Sequence, residues 1–340
     1  MKKNKWMLTS TAVFGTVFIA ACGADNSESS TAEGENSGST SEESSNEDNG
    51  GKKSGGEVTV EHELGEATVP ENPENVVVFN YEMLETLDEL NVGVNGVAQE
   101  SLPSYLDDYG SDDYENIGSL KEPDFEAINA MEPDVIIISG RQSDAYEELS
   151  EIAPTVYTAV DTENYMESFD SNMEMIGEIF QKEEEVQEKV DKLHARIDDL
   201  NETTEDVGPS LVTLVNDGSL SVYGEGSRFG LIHDVFGVPA ADENIEASTH
   251  GQSASFEYLA EEDPEHLFVV DRSAVVSQGG EEQTAAETLD NDIVNETQAA
   301  QNDNIHYLDP EYWYLSGGGL QSMDEMITEI EEAVASSEEE

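Results

Sequence analysis

The chain has 340 residues, 78 of them acidic against 13 basic, for a formal net charge of −65. A field of that sign and size repels polyanions and excludes nucleic acid or an anionic membrane face as a partner. The acids are spread along the whole chain rather than gathered in one block. They read as a surface adapted to a saline or alkaline habitat, not as an acidic tail with its own function.

At the N-terminus Lys2, Lys3 and Lys5 precede an apolar run over residues 6–21, which is too short and interrupted for a comfortable membrane span. The pattern predicts a secretory signal over 1–22, ending Ile19-Ala20-Ala21-Cys22. Cys22 is the one cysteine, so no disulfide framework competes for its thiol. The ending resembles a lipobox, which implies a diacylglyceryl group on Cys22 and cleavage before it. The mature protein is then expected on the extracytoplasmic face of the cell membrane, held by its acyl chains. Residues 23–57 are mainly Ser, Gly, Glu and Asn, cannot bury a core, and predict a disordered tether.

The folded body is expected from Val58. Alternation over residues 58–69 suggests a hairpin, and residues 76–79 form a short apolar strand. Met83, Leu84, Leu87 and Leu90 stand at helical spacing before Gly93. Strands follow near 94–98, 135–139 and 155–160. Strands that alternate with helices argue for a parallel α/β lobe over 58–182. Val186, Val190, Leu193, Ile197 and Leu200 then mark an amphipathic helix over 183–202, about 30 Å long at 1.5 Å per residue, that connects to a second α/β lobe over 203–340. In that lobe strands are expected at 211–215, 220–223 and 305–308, and helices at 229–236, 285–299 and 320–334. The chain is long enough for each lobe to bury its own core.

The two lobes share a cassette. Residues 123–141, PDFEAINAMEPDVIIISGR, and 254–272, ASFEYLAEEDPEHLFVVDR, carry Phe125, Glu126, Pro133 and Arg141 in the places of Phe256, Glu257, Pro264 and Arg272, each moved by 131 positions. Self-similarity at a long fixed period points to repeated structural units. Glu126 and Glu257 fall in the first turn of a helix, where the dipole alone favours a carboxylate; their matching places suggest a second role.

Only four arginines occur, at 141, 196, 228 and 272. Arg141, Arg228 and Arg272 each follow a strand, and in α/β folds the loops beyond the strands' carboxyl ends form the ligand crevice. In a chain this short of basic residues the three are best explained as an anion site, since the guanidinium fork gives planar, charge-assisted hydrogen bonds to oxygens. Pairing with nearby carboxylates is the plainer alternative. Arg196, among acids on the connecting helix, reads as a solvated ion pair. Among six histidines with no HxH or HExxH spacing, His250 in STHGQS is the one placed to face a cleft. Tyr312, Trp313 and Tyr314 precede a run of three glycines at 317–319 and a helix, a place for stacking on an aromatic ligand or, more weakly, for holding an anion.

The strings ENIGSLKEPDFEAI, IIISGRQ, GEGSRFGLIHDVFGV, THGQS, FVVDR and YLDPEYWYLSGGGL resemble the iron-siderophore substrate-binding lipoproteins of ABC importers, in the branch that binds petrobactin-type catecholates. The match covers essentially everything after the tether. It implies two Rossmann-like lobes joined by one long α-helix, a monomer with no intrinsic cofactor and no reaction of its own, and a ferric siderophore held in the interlobe cleft. By the same strings Arg141, Arg228 and Arg272 would contact the catecholate oxygens, with Trp313 and Tyr314 beside them. His250 and Tyr314 would complete the iron's coordination when the siderophore leaves sites open. Glu126 and Glu257 would dock on the permease. The acidic surface departs from what the family leads one to expect. Two other readings are a haem or divalent-metal binding lipoprotein of the same architecture, and an extracellular hydrolase using His250 with Glu257. The second is opposed by the lack of a GxSxG motif or a zinc-ligand set.

Overall fold

The computed structural model describes residues 56–204, 207–276 and 283–336. The signal segment, Cys22 and the tether lie outside them. The expected hairpin is present, with β1 (Glu57–His62) antiparallel to β2 (Gly65–Pro70). Next comes the first sheet, formed by β3 (Val76–Val78), β4 (Gly96–Val97), β5 (Glu115–Asn116), β6 (Val135–Ile138) and β7 (Thr155–Tyr157) in the order β5-β4-β3-β6-β7. Every pairing in it is parallel. The central strands β3 and β6 are buried along their whole length, as a sheet covered on both faces requires. Its helices are α1 (Tyr81–Glu89), α2 (Phe125–Met131) and α3 (Tyr146–Ser150).

Two long helices follow. The first, α4 (Tyr165–Phe180), has no counterpart among the elements expected from the sequence, although Tyr165, Phe169, Met173, Ile176 and Phe180 stand at helical spacing and are buried. Gln181 closes α4 in the left-handed region (φ 54°), and its N–H returns to the carbonyl of Gly177. The chain then turns directly into the connecting helix α5 (Glu183–Thr204), whose buried Val186, Val190, Leu193, Ile197 and Leu200 are the five residues read from the periodicity.

The second sheet runs β10-β9-β8-β11-β12, from β8 (Ser210–Asn216), β9 (Ser219–Tyr223), β10 (Gln252–Ala254), β11 (His266–Asp271) and β12 (Ile305–Leu308). It is mixed. Asp217 and Gly218 both take positive φ (47° and 71°) and close a two-residue hairpin that makes β9 antiparallel to β8, and β10 pairs antiparallel with β9. The one-turn helix α6 (Leu231–Asp234) stands where a longer one was expected. Next are α7 (Phe256–Glu262) and α8 (Ser273–Val276). The helix expected over 285–299 is broken into α9 (Ala285–Leu289), a single 3₁₀ turn and α10 (Gln298–Gln301). The side chain of Asn291 accepts from the N–H groups of Ile293 and Val294, and Thr297 caps α10, so local side-chain bonds compete with helix propagation.

The duplicated cassette is structural. Helices α2 and α7 each have seven residues, start at Asp124 and Ser255 caps, end on a left-handed residue (Glu132, φ 50°; Asp263, φ 44°), and lead through a proline into the fourth strand of their sheet.

Separate cores for the two lobes are not what the structure shows. The last helix, α11 (Leu320–Ser336), leaves the second sheet and packs on α1 of the first lobe and on α5. One hydrophobic cluster therefore runs from β3 and β6 through α4, α5 and α11 to Val212, Leu214, Phe268 and Val270 on the second sheet. The alternate residues Leu211, Val215, Leu267 and Val269 build a smaller cluster on the sheet's other face.

Candidate functional site

The three strand-end arginines meet at one residue. Arg141, two residues past Ser139 at the end of β6, donates from Nη2 to the main-chain carbonyl of Tyr314 at 2.9 Å and from Nη1 to that of Leu315 at 3.4 Å. Arg228, in the loop between β9 and α6, donates from Nη2 to the same Tyr314 carbonyl at 2.6 Å. Arg272, which follows β11, donates from Nε to the Tyr314 hydroxyl at 2.7 Å and from Nη1 to Asn216 Oδ1 at 2.6 Å. The guanidinium of Arg228 lies 4.2 Å from the centroid of the Tyr314 ring and that of Arg272 5.3 Å, both over its π face. Tyr314 sits in a π-helical turn, Glu311–Leu315, a departure from α geometry often found at functional sites.

Among the described residues none of the three has a carboxylate within salt-bridge distance. Arg196 does, gripping Asp324 and Glu331 of α11 as the expected ion pair. Each guanidinium has five N–H donors, so the cluster retains donors beyond the one or two that each arginine uses here. Burial and the neighbouring charge of Arg141 hold Arg228 below the usual arginine value. Burial alone would push the Tyr314 phenol up. The Arg272 hydrogen bond and the charges of Arg228, Arg272 and Arg141 outweigh it and set the phenol below its ordinary value. A half-buried concentration of positive charge in so acidic a chain favours an anion.

The aromatic trio divides. Tyr314 faces the arginines. Tyr312 stacks on Tyr105 of the first lobe at 4.7 Å. Trp313, expected beside the ligand, is instead 3 % exposed, with its ring edge-on to Phe236 and its Nε1 donating to Glu329 Oε2 at 2.6 Å. Neighbouring residues on a helical turn point in different directions, and the indole takes the core position.

The glycine run is not an anion cradle. Gly317 and Gly318 take positive φ (76° and 110°), and a Cβ on Gly319 would collide with Glu85 Oε1 and the carbonyl of Glu82. The place an anion would take at the start of α11 is filled by Glu85, which accepts from the N–H of Ser322 at 2.7 Å. His250 is exposed on the loop before β10, and its main-chain N–H bonds the Ser248 hydroxyl. No described contact joins it to the arginines, although the adjoining Gly251 packs on Tyr223, whose phenol feels the charges of Arg228 and Arg272. Glu126 and Glu257 are exposed in the first turns of α2 and α7. The sequence reading missed Asn216, which steers Arg272, and Glu82, buried at the start of α1. Asn216 directly precedes the Asp-Gly hairpin turn, a signal that would have placed it at a strand's carboxyl end.

The periplasmic binding protein family model matches residues 76–312, well over half of the chain. The chain belongs to the periplasmic binding protein family. It is 43 % identical over 336 residues to the petrobactin-binding protein YclQ of Bacillus subtilis, covering 97 % of this chain and 99 % of that one. The crystal structure of the Bacillus subtilis YclQ protein superposes with a TM-score of 0.79 at 46 % identity, over 82 % of this chain and 98 % of the other. The ferric-anguibactin-binding protein FatB of Vibrio anguillarum is 32 % identical over 279 residues, 80 % of this chain and 86 % of FatB. In this periplasmic binding protein the two lobes are joined by α5, and each lobe contributes at least one arginine to the Tyr314 cluster.

Proposed function

We propose that this chain is an extracytoplasmic substrate-binding protein that captures a ferric catecholate-type siderophore, petrobactin-like, between its lobes and delivers it to an ABC permease. The observation that carries the reading is the convergence of Arg141, Arg228 and Arg272 on Tyr314 without carboxylate partners among the described residues. A ferric ion wrapped by catecholate dianions presents negatively charged oxygens, and fork-shaped guanidinium donors suit them. Siderophores in the names of relatives that match most of this chain support the same class. Binding and handing over such a complex needs no bond-making step by the protein.

Within this reading Tyr314, with its lowered phenol, is a ligand for ferric iron where the siderophore leaves a coordination site open, and His250 is a second from its exposed loop position, next to Gly251 which packs on Tyr223. The exposed Glu126 and Glu257 on matching cassettes dock the two lobes on the permease. Cys22 carries the lipid, and the protein works as a monomer.

Trp313, the one tryptophan after the signal segment, adjoins Tyr314 and supplies the test. Ferric petrobactin is expected to quench its fluorescence saturably. Quenching by a ferric hydroxamate with none by ferric catecholates overturns the ligand class.

A further inference from the structure

Asn216 is the last residue of β8, and the second sheet sets it beside Arg272. The parallel register pairs Val215 with Asp271, and the Arg272 N–H donates to the Val215 carbonyl at 3.0 Å, so the residues that follow on the two strands are neighbours. The corner is closed just beyond them. Asp217 and Gly218 turn the chain back at positive φ, and the Asp217 N–H donates to Ser273 Oγ at 2.9 Å.

The acceptor that meets the Arg272 guanidinium in this corner is an amide. Asn216 Oδ1 accepts from Nη1 at 2.6 Å while the Tyr314 hydroxyl accepts from Nε at 2.7 Å, and two donors held in this way fix the plane of the fork. Carboxylates stand next to both residues in the chain, and neither is used. Asp217 follows Asn216 and is exposed; Asp271 precedes Arg272 and accepts from the main-chain N–H groups of Ala274 at 3.3 Å and Ala285 at 2.7 Å. Among the described residues no ion pair joins either of them to Arg272.

An uncharged acceptor matters in a chain with 78 acidic residues. A carboxylate at 216 would grip the guanidinium as well, but it would also neutralise it, and a neutralised pair offers an incoming anion little. The amide oxygen orients without that loss. The charge it preserves also reaches Tyr314: burial would raise the phenol, and the Arg272 hydrogen bond with the charges of Arg228, Arg272 and Arg141 sets it below its ordinary value. The phenol therefore reports the charge at Arg272 in the ligand-free protein.

We propose that Asn216 is a positioning residue that sets the charge of the site as well as its geometry: as an uncharged acceptor it fixes the Arg272 guanidinium without cancelling it, so that a full cation is presented to an anionic ligand. The ligand side of this inference rests on the proposed ligand class.

Asn216→Asp keeps the size and the acceptor and changes the charge. Titration with ferric petrobactin should show this variant weakened by about ten- to a hundredfold, the range for a lost charged hydrogen bond. Asn216→Ala, which loosens Arg272 without neutralising it, should be weakened less. An Asp variant that binds as tightly as wild type, or as tightly as Asn216→Ala, overturns the charge role and leaves the ligand reading intact. A second arm needs no ligand. Ultraviolet titration of the free proteins should place the Tyr314 phenol higher in Asn216→Asp than in wild type and higher than in Asn216→Ala, and a phenol that does not rise in Asn216→Asp overturns the proposal whatever binds. Absence of ferric petrobactin binding by the wild type overturns the ligand reading, and the phenol titration then decides on Asn216 alone.

Discussion

Arg141 and Arg228, one from each lobe, donate to a single atom, the main-chain carbonyl oxygen of Tyr314, at 2.9 and 2.6 Å. Because the shared acceptor belongs to the backbone, the geometry that brings the two guanidinium groups together does not depend on the side chain at 314. The remaining N–H groups are what a ligand would engage.

Replacing Arg141 with Ala is therefore expected to weaken ferric catecholate binding by ten- to a hundredfold, the equivalent of about 1.5–3 kcal/mol for a charged hydrogen-bond donor. Cooperative unfolding is retained. Equilibrium titration paired with thermal melts checks it, and unchanged affinity in the Ala variants of all three arginines removes the anion site.

The Tyr314 phenol should ionise below the ordinary tyrosine value of about 10. Folding favours the phenolate, so this group adds stability above its unfolded pKa, and the gain is lost as pH falls through the folded one. Ultraviolet titration should show one early phenol that is missing in Tyr314→Phe. In Arg272→Ala it moves up, because the Nε donor is gone.

Burial pushes Glu85 up to about 7, against the hydrogen bonds from Ser322 and Tyr105. Its folded pKa exceeds the unfolded value of about 4.5, so folding favours the neutral acid. Stability from this group is full below the unfolded value, falls as pH rises to about 7, and is then constant. The total loss is about 3 kcal/mol. Glu85→Gln retains an acceptor for the Ser322 N–H, and the wild-type minus variant difference in denaturant stability should follow that curve. A flat difference between pH 4 and 8, a range of about four units that spans both values, contradicts it.

Gly319→Ala should cost about 1–3 kcal/mol, as overpacking at a site with no room usually does. The added methyl meets the Glu85 carboxyl and the Glu82 carbonyl together, so α11 must shift from α1. A chemical melt within experimental error of wild type would show that the two helices are not so closely joined.

Much was legible before any coordinates. The alternation of apolar strands and periodic helices is a local signal, and it located β3, β6, β8, β11, β12 and the five core residues of α5. The cassette announced the symmetry of α2–β6 and α7–β11, because a Phe-Glu pair, a proline and an arginine repeat at one offset. Scarcity of arginine singled out Arg141, Arg228 and Arg272. The breaks at Asn291 and Thr297 were less visible, since side-chain caps override an otherwise helical composition.

The amino-acid sequence by itself determined which faces are apolar, where elements start and stop, and which residue types are too rare to be surface filler. Only the tertiary structure decided what those faces and residues meet. Period and propensity are properties of neighbours in the chain, whereas Arg141 and Tyr314 are 173 residues apart and Glu85 and Ser322 are 237 apart. The return of α11 to α1, the turning of Trp313 into the core and the burial of Glu82 all follow from how the two lobes share one interior.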